Sequence, residues 1–204
     1  MTVYTAQVAA GADDARDAVD GSAFAVDAAQ LGRDALTDIL RRMFGIRFPS
    51  TGIASGSTVS ACAYTWQRTA AAADSPQVDI YCENVDSAAD FTASAVLASR
   101  AKTSASTSYT VTGAGAGTKT SADFAGAAQE VVNRAGFSGV LMVLVVGKNQ
   151  ITVEDYEVVR YETNPATCCG ISITYTAPAG HPTMRRWGGS IWPGPGARRI
   201  GRGW

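Results

Sequence analysis

Residues Asp123 to Gly147 read DFAGAAQEVVNRAGFSGVLMVLVVG, and the rest of the chain can be arranged around them. Phe124, Ala127, Ala128, Val131 and Val132 recur at the i, i+3, i+4, i+7, i+8 spacing of a helix with one apolar face. Ser121 or Asp123 can cap its start, and Arg134 followed by Gly136 supplies a cationic last turn and a left-handed stop, which predicts a helix of about three turns. After Gly136-Phe137-Ser138-Gly139 comes Val140 to Val146, an unbroken apolar run bounded by Gly147-Lys148-Asn149. The run is too short to cross a bilayer and reads as a strand buried on both faces. One short helix feeding the most buried strand of a strand-rich chain predicts a sandwich plugged by that helix.

Working outward, strand alternation recurs along the chain. Tyr4, Ala6 and Val8 alternate with Val3, Thr5 and Gln7; Phe24, Val26 and Ala28 follow; and Phe44, Ile46 and Phe48 alternate up to Pro49. Thr58 to Arg68 presents Val59, Ala61, Ala63 and Thr65 on one face and Cys62, Tyr64 and Trp66 on the other, so both faces read as covered. Val78, Ile80 and Cys82, the long pattern Ile151 to Tyr161, and Ile171, Ile173 and Tyr175 complete the set. Between these, Asp34 to Met43 has helical spacing, residues 92 to 106 read as a long surface connection, and Gly113 to Thr120 as a flexible glycine loop. That loop lacks the lysine directly after the last glycine that a phosphate loop requires. Eight or nine short strands and a single firm helix predict an all-β, antiparallel jelly-roll β-sandwich. The expected organisation is a sandwich over residues 1 to 180 and an extended C-terminal arm over 181 to 204.

Charge divides at the same place. Residues 1 to 180 hold 12 basic and 18 acidic residues, net −6, whereas 181 to 204 hold five Arg and no acid, net +5. The N-terminal MTVYTAQVAAGADDA lacks a basic start and a long apolar core, which argues for synthesis without secretion.

Several groups invite a chemical reading. Asp13, Asp14, Asp17 and Asp20 suggest calcium, but lack the ligand alternation and closing Glu of an EF-hand loop, so a solvated acidic loop is expected. Glu83, Asn84, Asp86 and Asp90 could hold a hard cation, and local turn chemistry accounts for them as well. Cys62, Cys82, Cys168 and Cys169 do not have zinc spacing and read as buried free thiols. His181 is the single histidine, with no Ser or Cys motif placed to use it, and Glu154, Asp155 and Glu157 read as strand residues turned to water. The expectation is therefore no enzyme, no cofactor and no metal site.

The motif order resembles a known family. GIRFPSTGIASGSTVSACAYTWQ (Gly45 to Gln67), VDIYCENVDSAADF (Val78 to Phe91), SRAKTSASTSY (Ser99 to Tyr109), AAQEVVNRAGFSGVLMVLVVG (Ala127 to Gly147) and ISITY (Ile171 to Tyr175) are similar, in that order, to the carbohydrate-binding-module-like, DNRLRE-type jelly rolls. These sandwiches occur in secreted bacterial proteins and in structural proteins of tailed phages. The resemblance spans about residues 3 to 176, and QEVVNRAGFSG is its most specific piece. Cys82 stands where the family usually has Gly, and ENVDSAAD replaces a denser acidic run, so no metal or sugar site is carried over. The ending TMRRWGGSIWPGPGARRIGRGW, Thr183 to Trp204, resembles the Arg/Gly/aromatic tails of virion proteins from actinobacterial phages.

Trp187, Trp192 and Trp204 lie within residues 181 to 204 together with Pro182, Pro193, Pro195 and six glycines. Such a segment cannot extend a sheet or build a helix of its own, yet each Trp left in water forgoes several kcal/mol, at roughly 150–250 Å² and about 25 cal/mol/Å². The expected role is an arm whose Arg185, Arg186, Trp187, Trp192, Arg198, Arg199 and Trp204 anchor on an acidic neighbour, other virion subunits including copies of this chain. Folding back onto its own sandwich is the plainer alternative. Five Arg beside an acidic body make too small a footprint for nucleic acid, and no membrane partner is expected. The sequence thus predicts a virion building block, a tail, tail-tip or capsid-decorating protein assembled in the host cytoplasm. The alternative is a module for host surface glycans using Tyr81, Tyr109 or Tyr156 as stacking platforms.

Overall fold

The computed structural model describes residues 1–18, 25–26, 30–32, 42–68, 77–91, 97–111, 116–148, 155–157, 164, 166 and 168–179. Their strands are β1 (Thr2–Gln7), β2 (Asp14–Ala18), β3 (Ala25–Val26), β4 (Gln30–Gly32), β5 (Arg42–Phe48), β6 (Thr58–Arg68), β7 (Gln77–Cys82), β8 (Thr107–Thr110), β9 (Gly117–Thr120), β10 (Leu141–Gly147), β11 (Asp155–Glu157) and β12 (Gly170–Thr176). The helix is α1 (Ala125–Val132).

One sheet has the order β1-β12-β6-β9 and the other β3-β2-β5-β10-β7-β8, all neighbours antiparallel, while β11 and β4 form a separate pair. Take β1, β5, β6, β7, β8, β9, β10 and β12 as strands one to eight. The four-stranded sheet then runs 1-8-3-6 and the core of the larger sheet 2-7-4-5, the wrapping of a jelly roll. The strands β2 and β3 extend the larger sheet beyond β5.

The inward faces meet in one apolar cluster. Phe44, Ile46 and Phe48 of β5, Leu141, Val143 and Val145 of β10, and Val78 and Ile80 of β7 come from the larger sheet; Cys62, Tyr64 and Trp66 of β6, and Ile171 and Ile173 of β12, come from the smaller. Burying such side chains contributes about 1.5–3 kcal/mol each. Tyr64 lies 4.7 Å from Trp66 and 6.2 Å from Phe124, and Trp66 meets Tyr109 edge-on at 6.5 Å, centroid to centroid. The helix packs on β6 of one sheet and β7 of the other, and buries the predicted Phe124, Ala127, Ala128, Val131 and Val132.

As the apolar run predicted, β10 is covered on both faces, and a second cluster explains how. Met142 and Leu144 point away from the sandwich and pack with Ala15, Met43, Ala88, Phe91 and Leu97. Phe91 and Leu97 belong to the β7–β8 connection, which therefore lies over the back of the larger sheet; a 3-10 turn at Leu97–Ser99 buries Leu97 completely. The burial of Leu97 and Thr103 corrects, over residues 97 to 106, the reading of 92 to 106 as a surface connection; residues 92–96 lie outside the described residues. Gly45 makes room for this strap, because a Cβ there would fall 2.5 Å from Phe91 Cζ and 2.6 Å from Leu97 Cδ2. Gly45→Ala is expected to lower stability by about 1–3 kcal/mol through overpacking. An unchanged denaturation midpoint would show that the strap moves aside at no cost.

Other expectations are adjusted. The face Ala61, Ala63 and Thr65 of β6 is open or half-open, and an irregularity in register opposite Thr174 and Tyr175 turns Val59 to the core side. So β6 is covered on one face only. Gly117–Thr120 is a strand against β6 and not part of a glycine loop, since Thr118, Lys119 and Thr120 find partners in Gln67, Trp66 and Thr65. The helix has eight residues, shorter than expected. The left-handed glycine is Gly139 (φ 86°), not Gly136, where a side chain would collide with Asp86. Arg42 and Met43 open β5 instead of closing a helix; residues 34–41 lie outside the described residues. Phe24 and Ala28, and most of Ile151 to Tyr161, lie outside them too.

Candidate functional site

The anchors predicted in the arm, Arg185, Arg186, Trp187, Trp192, Arg198, Arg199 and Trp204, lie outside the described residues, as do His181 and Glu154. Asp155 and Glu157 are backbone members of β11, paired with Gly32 and Gln30. Beyond Thr176 the described chain continues to Gly180's neighbour Ala179, with Pro178 beside Gly56. Pro178 therefore lies at the end of the sandwich where the β5–β6 loop and α1 meet.

That end is held by the run QEVVNRAGFSG, Gln129 to Gly139. Gln129 Oε1 accepts from Val59 N at 2.6 Å and its Nε2 donates to Ser57 O at 2.9 Å, fixing the entry to β6. Glu130 accepts from Ser104 N and Ala105 N at 2.9 Å each and from Asn84 Nδ2 at 3.1 Å. Arg134 donates to Asp86 Oδ1 at 2.6 Å and Asn84 Oδ1 at 2.9 Å, and Ser138 N to Asp86 O. Thr51 N and Oγ1 both donate to Gly139 O, so TGIASG and RAGFSG, distant in sequence, close on one another. Gln129 and Glu130 thus supply partners to peptide groups of two connections, and Arg134 ties side chains of a third.

The same arrangement occupies the acidic group. Glu83 is paired with Arg100 at 2.9 Å, both side chains under a tenth exposed, and Asp86 with Arg134. Arg100 also donates to Ala89 O and Asp90 O, and its guanidinium lies 4.8 Å from the centre of the Phe91 ring. Here guanidinium groups stand where a cation would have stood. Among the described residues no cluster of three or more His, Cys, Asp or Glu could hold a metal ion, and no helix is long and apolar enough to cross a membrane.

The other aspartates overturn an expectation. Asp13, Asp14 and Asp17 are buried, not solvated, and Asp20 lies outside the described residues. Asp13 Oδ1 meets Arg47 Nη1 at 2.7 Å, and Asp17 Oδ2 accepts from Ala98 N at 3.5 Å, so the segment is strand β2 and a 3-10 turn joined to the strap.

All four cysteines are free and buried, as expected. Burial pushes the Cys62 and Cys82 thiols well up, with Cys82 and Asp123 adding to it at Cys62 and Glu130 at Cys82. Burial and Asp14 do the same at Cys169 and, less strongly, Cys168. Such thiols are held in the unreactive protonated form. Of the glycan platforms, Tyr109 is half-buried, with its hydroxyl donating to Thr120 O at 3.0 Å and its ring against Trp66. Tyr81 packs on the outer cluster, and the Tyr156 side chain lies outside the described residues.

Sequence reading missed the outer face of the four-stranded sheet. Registers place Val3, Thr5 and Gln7, then Thr174 and Ser172, then Ala61, Ala63, Thr65 and Gln67, then Thr120 and Thr118 side by side on it. These positions are open or half-open, and none carries a charge or an aromatic ring. The regular Thr and Ser alternation was the signal.

The fold and these contacts define an antiparallel jelly-roll sandwich whose polar groups mainly fasten its own loops. No protein-family model matches the chain, and no curated protein matches it significantly.

Proposed function

We propose that the protein is a non-catalytic structural component of a tailed-phage virion, a minor tail, tail-tip or capsid-decorating protein whose jelly roll sits on the particle and whose residues 181–204 dock it. The observation that carries this reading is the division of charge and aromatic bulk: five Arg and three of the four Trp follow the last sandwich strand, while every acid lies before it. A basic, Trp-rich segment suits an interface with acidic neighbours, since Trp and Arg dominate hot spots and opposite charge steers encounter. The resemblance to DNRLRE-type jelly rolls and to phage tails with Arg, Gly and aromatic residues supplies the context.

Deleting residues 181–204 tests the reading. The truncated chain is expected to keep the circular dichroism and melting temperature of the sandwich and to be lost from purified particles. Incorporation at the full-length level would refute the docking role. Binding to a glycan array that disappears on replacing Tyr156, without any loss from particles on truncation, would favour host-glycan recognition instead.

A further inference from the structure

The four-stranded sheet ends at β1, which among the described residues pairs only with β12. The side on which its peptide groups stand can be worked out. Val8 N donates to Cys169 O at 2.9 Å in continuation of the β1–β12 register. Peptide groups alternate along a strand, so those of Tyr4 and Ala6 also face β12, and those of Val3, Thr5 and Gln7 face away. The strand reads TVYTAQ, with no charge, proline, glycine or bulge to discourage pairing. Met1 and Val3, the exposed large hydrophobic residues among those described, are 88% and 60% exposed and lie on or beside this strand.

We propose that the β1 edge pairs with β1 of a second copy, antiparallel about a two-fold axis at Tyr4, joining the two four-stranded sheets into one. In an antiparallel pair the residues opposite one another share a face, so a two-fold at Tyr4 sets Val3 against Thr5 and Met1 against Gln7. This register brings the outward peptide groups of both edges together and places each exposed apolar side chain beside a neighbour's. A second copy fits better than a charged partner. No side chain of the seam or of the adjoining outer face is charged, so the acidic side chains that give each body its net −6 are kept off the contact. An edge of six residues, about 20 Å long, buries less than the roughly 1,600 Å² of a standard interface, so the pairing is reversible and grows with concentration. It is independent of the docking role given to residues 181–204.

The test is sedimentation of the full chain over a concentration series, beside Thr5→Pro and the chain lacking 181–204. The Thr5 N–H takes no part in the β1–β12 ladder, so proline there leaves the monomer folded and raises the dimer dissociation constant more than about tenfold. The expected result is dimer formation by the wild-type and truncated chains and none by Thr5→Pro. Where proline also shifts the melting temperature, disulfide cross-linking decides: Val3→Cys and Thr5→Cys chains should cross-link when mixed and not separately. A wild-type chain monomeric throughout, a Thr5→Pro chain that dimerises normally, or Thr5→Cys cross-linking to itself alone overturns the proposal. So does loss of the dimer on truncation, which would make the arm the occupant of this edge. Because Thr5→Pro keeps the arm, failure of edge pairing and failure of docking give different patterns.

Discussion

Arg100→Ala is expected to destabilise the fold by about 3–5 kcal/mol, the usual cost of leaving one member of a buried ion pair without the other. Glu83 is 7% exposed and sits where β7 passes into the strap, so without Arg100 its carboxylate loses its ion-pair partner in a site with little water. The same substitution frees the carbonyls of Ala89 and Asp90 and removes the cation over the Phe91 ring, loosening the cover of Met142 and Leu144. Urea denaturation measures the loss. The double variant Glu83→Gln, Arg100→Met should be much less damaged than the sum of its single changes, because it removes the charge that would be stranded. A loss below about 1 kcal/mol for Arg100→Ala would mean that water reaches Glu83 and that the strap is not anchored by this pair.

Raising the pH from 9 to 10 should cost about 3 kcal/mol, a second effect of similar size, from Cys62, Cys82 and Cys169 together. Burial raises all three thiols above their ordinary value of 9.0, whereas in the unfolded chain they ionise near it. Their contribution is therefore complete below about pH 9 and declines as pH rises toward the folded values, by about 1 kcal/mol per thiol between pH 9 and 10 and at most about 1.4 kcal/mol per thiol per unit beyond. Tyr4, also raised by burial, adds a loss of the same sign above its ordinary value of 10.0. Urea midpoints at pH 8, 9 and 10 give the slope, and Cys169→Ala should flatten it by about a third. A level profile across that range, or rapid labelling of native thiols by iodoacetamide, would show that these sulfurs meet water.

The jelly roll was legible in the sequence because its central strands carry their instructions locally. Val140 to Val146 has no polar side chain and admits only burial on both sides, and Phe44, Ile46 and Phe48 alternate cleanly up to Pro49. What escaped is decided by distant partners. Nothing near Leu97 reveals that it will cover Met142, and the acids of β2 look like a solvated run until Arg47 and the strap are in place. Thr118 to Thr120 becomes a strand because β6 offers a partner, which glycine content alone cannot foresee. The run around Arg134 was visible as a pattern, but its task of joining three connections appears only in three dimensions. The outer face of the smaller sheet was visible as alternation without any residue type that draws attention.

The position of β10 also governs how the chain can be made. It lies between β5 and β7, both of which leave the ribosome long before it does. Until residue 147 has emerged, two apolar strands wait with a vacant slot between them, each a template for a stray strand. Assembly of the larger sheet is consequently a late, long-range event, slow by the ordinary relation between topology and rate. Nascent chains stalled before Leu141 should be the ones that aggregate or recruit chaperones, and those extended past Gly147 the first able to shield that gap.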